Sequence, residues 1–298
     1  MTTHVYSHPD IFLHDAAANH KAMASDRLER IYARVATVPG IRLCDARLAT
    51  KEELERNHTS AFVGQLHAYT PREEGKHHYI DNETVLNRHT WRMIGLSAGA
   101  ACQAVDSVLD EEASNAFCVT YAGHHAHSES AGGFCFTNQV AIAARHALSR
   151  GVSRIAVLDI DTHSGDGTVL SFMGNGHVLF AETYQMGYPY LALGEFCPDN
   201  ILRARCSSAR EFRAAWTTML AEVKNFEPEL ILVSAGFDAH REDPLGTIGL
   251  GDEDYAWVAQ QILSVNHRVV ACLEGGYNVE VTSRCAAAFV EEMTRYGA

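Results

Sequence analysis

Six runs of β-type apolar residues punctuate the chain, at 41–45, 115–120, 154–160, 177–182, 229–234 and 268–273. The segments between them follow a different period. Phe212, Trp216, Met219, Leu220 and Val223 recur at three- and four-residue spacing behind Ser208 and Glu211, which read as a capping box. Tyr255, Val258, Ala259, Ile262 and Leu263 repeat the pattern after the acidic start Asp252-Glu253-Asp254. Strand–helix alternation of this kind predicts an α/β chain with a mostly parallel central sheet flanked by helices. No internal repeat, low-complexity stretch or linker interrupts the pattern, so residues 1–298 read as a single domain. The polar segment from Pro71 to Lys76 reads as a surface loop.

Four short segments directly follow apolar runs and carry most of the reactive side chains: Gly123-His124-His125-Ala126, Asp159-Ile160-Asp161-Thr162-His163, Gly236-Phe237-Asp238 and Glu274-Gly275-Gly276-Tyr277. Ligands of open parallel sheets bind beyond the carboxyl ends of the strands, so all four are expected at one edge. In an extended Asp161-Thr162-His163 the side chains at i and i+2 point the same way. One carboxylate and one imidazole can then converge on a single cation, with Asp238 a candidate third ligand. Three protein ligands leave a position for water, which separates a catalytic zinc from a closed structural one. Two carboxylates and one imidazole also make a hard, metal-tolerant set, so Fe(II) is the alternative ion. An Asp-x-His triplet or a histidine pair taken alone is more often a capped loop or a polar patch. The common position after strands is what gives these residues weight.

Composition narrows the setting. At 298 residues with 47% hydrophobic content there is ample material for a large core. The net charge of −13, without any Lys/Arg run, argues against direct nucleic-acid binding. The eight cysteines lie mostly inside apolar segments with no Cys-x-x-Cys pair, as expected of reduced core residues. The N-terminal stretch lacks a signal-peptide pattern and no segment has 18 continuous apolar residues, so a cytoplasmic protein without a membrane partner is expected.

The motifs, in this order, resemble the histone deacetylase superfamily, which includes bacterial histone-deacetylase-like and acetylpolyamine amidohydrolases and has an arginase-like α/β fold. The similarity runs from His58-Thr59-Ser60-Ala61-Phe62 to Gly276-Tyr277-Asn278 and is densest over 123–136, 159–168 and 234–246. The resemblance implies that Asp161, His163 and Asp238 bind zinc. His125 would be the general base and then the acid, with His124 its electrostatic partner, Asp159 orienting His124 and Asp166 orienting His125. Tyr277 would donate to the acyl carbonyl and to the oxyanion. Gly133 and Phe134 would form the substrate tunnel, with Tyr188 as the facing wall, and Arg27 would be an internal-channel arginine. A structural potassium would lie beneath the zinc, on Asp159 and backbone carbonyls around Asp161 and His163.

Two positions depart from the family pattern. Ser164 stands where most members carry a second histidine, and Glu182-Thr183-Tyr184 stands where they often read Ser-Leu-His, beside the potassium site. Leu245, seven residues past Asp238, occupies a place where a polyamine-preferring branch has a glutamate.

The implied activity is hydrolysis of the N-acetyl amide of a lysine-like chain, on a peptide, a protein or a small amine, to acetate and a free amine. Alternatives are an acetylpolyamine amidohydrolase, a longer-chain deacylase, a binuclear arginase-type hydrolase, for which a second set of bridging carboxylates is missing, and a non-catalytic acyl-lysine binder. His4, His8, His77, His78, His146 and His267 read as surface or core residues. His127 and His240 lie nearer the motifs with no assigned task, and Asp81 reads equally as a rim contact or a turn residue.

Overall fold

Eight strands make the centre of the protein, whose computed structural model describes residues 2–15, 26–186 and 197–297. In chain order the strands are β1 (Thr2–Ser7), β2 (Ile41–Asp45), β3 (His78–Tyr79), β4 (Val85–Leu86), β5 (Ala113–Cys118), β6 (Ile155–Asp159), β7 (Val178–Tyr184), β8 (Ile201–Arg205), β9 (Leu230–Ala235) and β10 (Val269–Leu273). The large sheet has the order β2-β1-β5-β10-β9-β6-β7-β8, and β3 and β4 form a separate antiparallel ribbon. Every pairing in the large sheet is parallel, so the expected mostly parallel sheet is wholly so.

All residues of β5, β6, β9 and β10 are buried. Strands covered on both faces read as near-continuous apolar runs, which is why these stood out. Two sets of helices supply the cover. Thr90–Leu109 packs on β1, β5 and β10 and against Gln139–Ser149. Asp26–Val35, Val279–Gly297, Asp252–Val265 and Ala209–Phe226 pack one against the next, the last reaching β7.

Two strands of the large sheet escaped the pattern. β1 reads Thr-Thr-His-Val-Tyr-Ser, yet Thr3 and His4 are buried, because tertiary cover and not apolarity puts them inside. β8 is a half-covered edge with two arginines. The helix Ala209–Phe226 starts at its expected cap, Ser208, whose hydroxyl accepts the N–H of Glu211. The reciprocal half of the box differs: the Glu211 carboxylate takes the N–H and hydroxyl of Ser207 instead.

The topology matters most for the site. β10 and β9 lie between β5 and β6, which are consecutive in the main sheet by sequence. The four strands followed by the reactive segments are therefore the four central neighbours. Being parallel, they bring their carboxyl ends, and the reactive segments that follow, to one edge of the sheet.

Candidate active site

Asp161, His163 and Asp238 come together beyond the ends of β6 and β9, with one ligand-type atom from each lying within 4.8 Å of the others. His163 Nδ1 is 3.0 Å from both Asp161 Oδ1 and Asp238 Oδ2. Tetrahedral ligands about 2.0–2.1 Å from a zinc ion would stand about 3.3 Å apart, so the spacing fits a shared cation. Asp238 Oδ1 is held by the N–H of Thr162 at 2.8 Å, whereas Oδ2 accepts no hydrogen bond of good geometry despite complete burial. Two further acid-containing clusters exist among the described residues, Glu53/Cys102/His146 and His240/Asp252/Cys285. In those, Arg47 already neutralises Glu53 and Arg284 already neutralises Asp252. No guanidinium or ammonium of the described residues pairs with Asp161 or Asp238, and their excess negative charge raises the His163 pKa despite its burial. The donor set fits a divalent cation.

The loop after β10 reaches this cluster because it has no side chain there. A Cβ on Gly275 would lie 2.2 Å from Asp238 Oδ2 and 2.6 Å from Asp161 Oδ2, and its N–H donates to Asp161 Oδ2 at 2.8 Å. Only glycine permits that approach.

His124 and His125 sit beside the cluster on the loop after β5. His124 Nδ1 pairs with Asp159 Oδ2 at 2.9 Å and His125 Nδ1 with Asp166 Oδ1 at 2.7 Å. A carboxylate on Nδ1 sets the tautomer and orients the ring, leaving Nε2 for other work. Burial would lower the His124 pKa, but the carboxylates of Asp159, Asp161 and Glu274 outweigh it and hold the imidazole well above its ordinary value. Burial and the neighbouring His124 push His125 the other way, to about 4, against the pull of Asp166. The two rings therefore have separated acidities. The Gly133 backbone crosses the His125 ring so closely that a Cβ would sit 2.8 Å from its Cδ2, and at φ +55 the position favours glycine twice over.

Tyr277 and Phe134 face each other with ring centroids 6.0 Å apart. Burial, with Asp238 and Asp161 nearby, raises the Tyr277 hydroxyl well above its usual pKa, so it stays a donor. Arg27, 2% exposed, donates from Nε to the Gly276 carbonyl at 2.6 Å and from a terminal nitrogen to the Glu274 carbonyl at 2.5 Å. It holds the tyrosine loop from beneath. Leu245 is half-buried, its N–H bound to Asp243 Oδ1 at 2.9 Å and its carbonyl to Gln185 Nε2 at 3.1 Å. Tyr188 lies outside the described residues.

Three supporting residues were given no role from the sequence. Glu274 Oε2 accepts the N–H groups of Gly123 and His124 at 2.6 and 3.2 Å, fixing the histidine loop. Its place directly after β10 was the available signal. Asp166 Oδ2 binds His127 Nε2 at 2.8 Å, which gives that histidine a task. Asp243 Oδ2 accepts the N–H groups of Tyr277 and Asn278 at 2.6 and 3.1 Å.

The chain and its fold are similar to those of known proteins. The histone deacetylase domain family matches residues 21–293. A probable deacetylase of Archaeoglobus fulgidus is 34% identical over 248 residues, covering 78% of this chain and 68% of that protein. Acetylpolyamine amidohydrolase 1 of Pseudomonas aeruginosa is 31% identical over 234 residues, covering 74% of this chain and 65% of its own. The crystal structure of the HDA15 HD domain superposes with a TM-score of 0.91 at 27% identity, over 99% of this chain and 90% of that one.

Proposed function

The chain belongs to the histone deacetylase domain family, and from that premise we propose that it is a metal-dependent amidohydrolase that removes acetyl groups from lysine-like amines. The observation that carries the reading is the convergence of Asp161, His163 and Asp238 with the His125–Asp166 pair at one edge of the sheet. Asp161, His163 and Asp238 would hold zinc, with Fe(II) the alternative. When bound, the cation supplies Lewis acidity to the acyl carbonyl and to water. His125 takes the proton of the attacking water at Nε2, and Asp166 on its Nδ1 stabilises the resulting imidazolium. The same ring then delivers the proton to the departing amine nitrogen. His124, whose charged form is favoured by the neighbouring Asp159, Asp161 and Glu274, would place positive charge beside the developing oxyanion. The Tyr277 hydroxyl donates to that oxygen. Gly133 offers its carbonyl to the substrate N–H, and Phe134 walls the alkyl chain.

Similarity to an acetylpolyamine amidohydrolase supports a second reading in the same reaction class. Leu245, which brings no charge to the mouth, favours acetyl-lysine peptides. A binuclear site has no support, since the neighbouring acids are engaged: Asp159 with His124, Glu274 and Asp243 with backbone N–H groups. No helix among the described residues is long and apolar enough to cross a membrane. The test is acetate release from an acetyl-lysine peptide by purified protein, abolished by a chelator and restored by Zn(II). Zinc-loaded protein that hydrolyses neither acetyl-lysine nor acetylpolyamine would remove the proposal.

A further inference from the structure

The family's structural potassium is expected on Asp159 and the carbonyls near Asp161 and His163, and the side chains there do not fit it. Both Asp159 oxygens are in use, Oδ2 by His124 and Oδ1 by the N–H of Asp161 at 3.1 Å. Across the sheet Asp159 pairs in register with Glu182, and Glu182 with Arg203. Glu182 is fully buried and the Arg203 side chain 9% exposed. The Arg203 Nε donates to Glu182 Oε1, and its terminal nitrogen donates to Ser164 Oγ at 2.7 Å. Ser164 Oγ donates to Glu182 Oε1 at 3.0 Å, and the Gly165 N–H to Oε2 at 2.7 Å. The guanidinium also lies 4.7 Å over the Tyr184 ring. All of the departures noted in the sequence, Ser164 and the Glu182-Thr183-Tyr184 segment, meet at Arg203.

We propose that the Arg203 guanidinium, acting through Glu182 and Ser164, replaces the monovalent cation beneath the metal centre and is the positioning group for the His163 loop. Ser164 and Gly165 directly follow His163, so clamping them fixes where its imidazole stands. Asp159 and Glu182 face each other across the sheet, and Glu182 is already balanced by Arg203 without an added ion. A potassium ion placed between them would face a fixed positive group in a poorly screened interior. The inference rests on reading His163 as a metal ligand.

The experiment measures Zn(II) affinity by chelator competition, and thermal midpoint, in potassium, sodium and tetramethylammonium chloride at equal ionic strength. The parent should behave alike in all three salts. Arg203→Met should bind zinc about 10–100-fold more weakly, the usual effect of losing a group that orients a ligand, with Arg203→Lys recovering part of the loss. Millimolar guanidinium should restore Arg203→Met. Should Arg203→Met fail to fold around an uncompensated Glu182, the neutral pair Glu182→Gln/Arg203→Met decides by the same zinc measurement. Potassium-specific stabilisation of the parent, or parent-like zinc affinity in the folded variants, would overturn the inference. His163→Ala with undiminished zinc affinity would instead defeat the reading of the metal ligands, which keeps the two failures apart.

Discussion

The backbone N–H of Tyr277 donates to the carboxylate of Asp243 at 2.6 Å, tying the tyrosine loop to the segment that follows Asp238. The same oxygen takes the N–H of Asn278, while the other takes that of Leu245. An amide cannot do both jobs, since one of its two ends carries donors. Asp243→Asn should therefore let the tyrosine loop drift and lower kcat by about tenfold or more, the size expected from losing a charge-assisted hydrogen bond, with metal content unchanged. Parent kcat in this variant would mean that the loop is held in place without Asp243, by Arg27 and the Gly275 N–H bond to Asp161.

Tyr277→Phe isolates the hydroxyl from the loop. The ring still packs against Phe134, and Gly275 still lies against the metal ligands. The expected result is a fall in kcat of about 10²–10³, the usual cost of one missing oxyanion donor, with zinc stoichiometry and thermal midpoint close to the parent. Hydrolysis at the parent rate would assign the oxyanion to His124 without help from Tyr277.

These two cases divide what could be read from the chain from what could not. Tyr277 was legible because a Gly-Gly lead-in and a buried strand place it, and the metal cluster because its members all follow such strands. Asp243 was not, since the chain offers no local sign that its carboxylate will meet a backbone 34 residues later. His127 and Arg203 failed for the same reason: each acts through a partner brought close only by the sheet order. Glu182 stood out as a departure from the family, but its meaning depended on an arginine one strand away. Conversely, β1 was missed since its burial comes from neighbours and not from its own apolarity. Local pattern specifies the core strands and the residues at their ends. The layer that orients those residues is written in tertiary proximity.

His58 provides a pH test away from the metal ligands. Its Nδ1 binds the His127 carbonyl at 2.9 Å and its Nε2 accepts the Asn138 N–H at 2.9 Å, so the neutral ring pins both ends of the loop carrying Gly133 and Phe134. Protonation would set a donor against a donor, and burial depresses the pKa from 6.5 to about 4. With the folded value below the unfolded one, the unfolded chain binds more protons between those limits. The contribution is present above pH 6.5 and is lost as pH falls through about 4, at most about 3 kcal/mol. Thermal midpoints of His58→Gln should thus fall less steeply over this range than those of the parent. Parallel slopes would show that His58 does not titrate with unfolding.

Substrate choice turns on charge at the mouth of the site. A polyamine cation about 4 Å from a carboxylate gains about 4 kcal/mol where the surroundings are partly desolvated and about 1 kcal/mol in open water. Leu245 offers no such charge. Glu182 cannot supply it either, being fully buried and committed to Arg203. Among the described residues Asp81 lies beside Gly132, is exposed, and its Oδ1 takes the N–H groups of Glu83 and Thr84 at 2.8 and 2.6 Å. Thr84 Oγ1 in turn accepts the Phe134 N–H at 3.1 Å, which links the exposed, solvated Asp81 to the segment proposed to wall the substrate. The pull of Asp81 on a polyamine belongs to the weaker regime, and the remainder of the −13 net charge is screened beyond about 8 Å at physiological salt. The parent should accordingly show higher kcat/KM for an acetyl-lysine peptide than for acetylspermidine, and Leu245→Glu should move the ratio toward the polyamine by about 10–100-fold. Asp81→Asn should change that ratio only a few-fold. A parent that prefers acetylspermidine, with the preference erased by Asp81→Asn, would show that Asp81 does what Leu245 cannot and would assign the enzyme to polyamines.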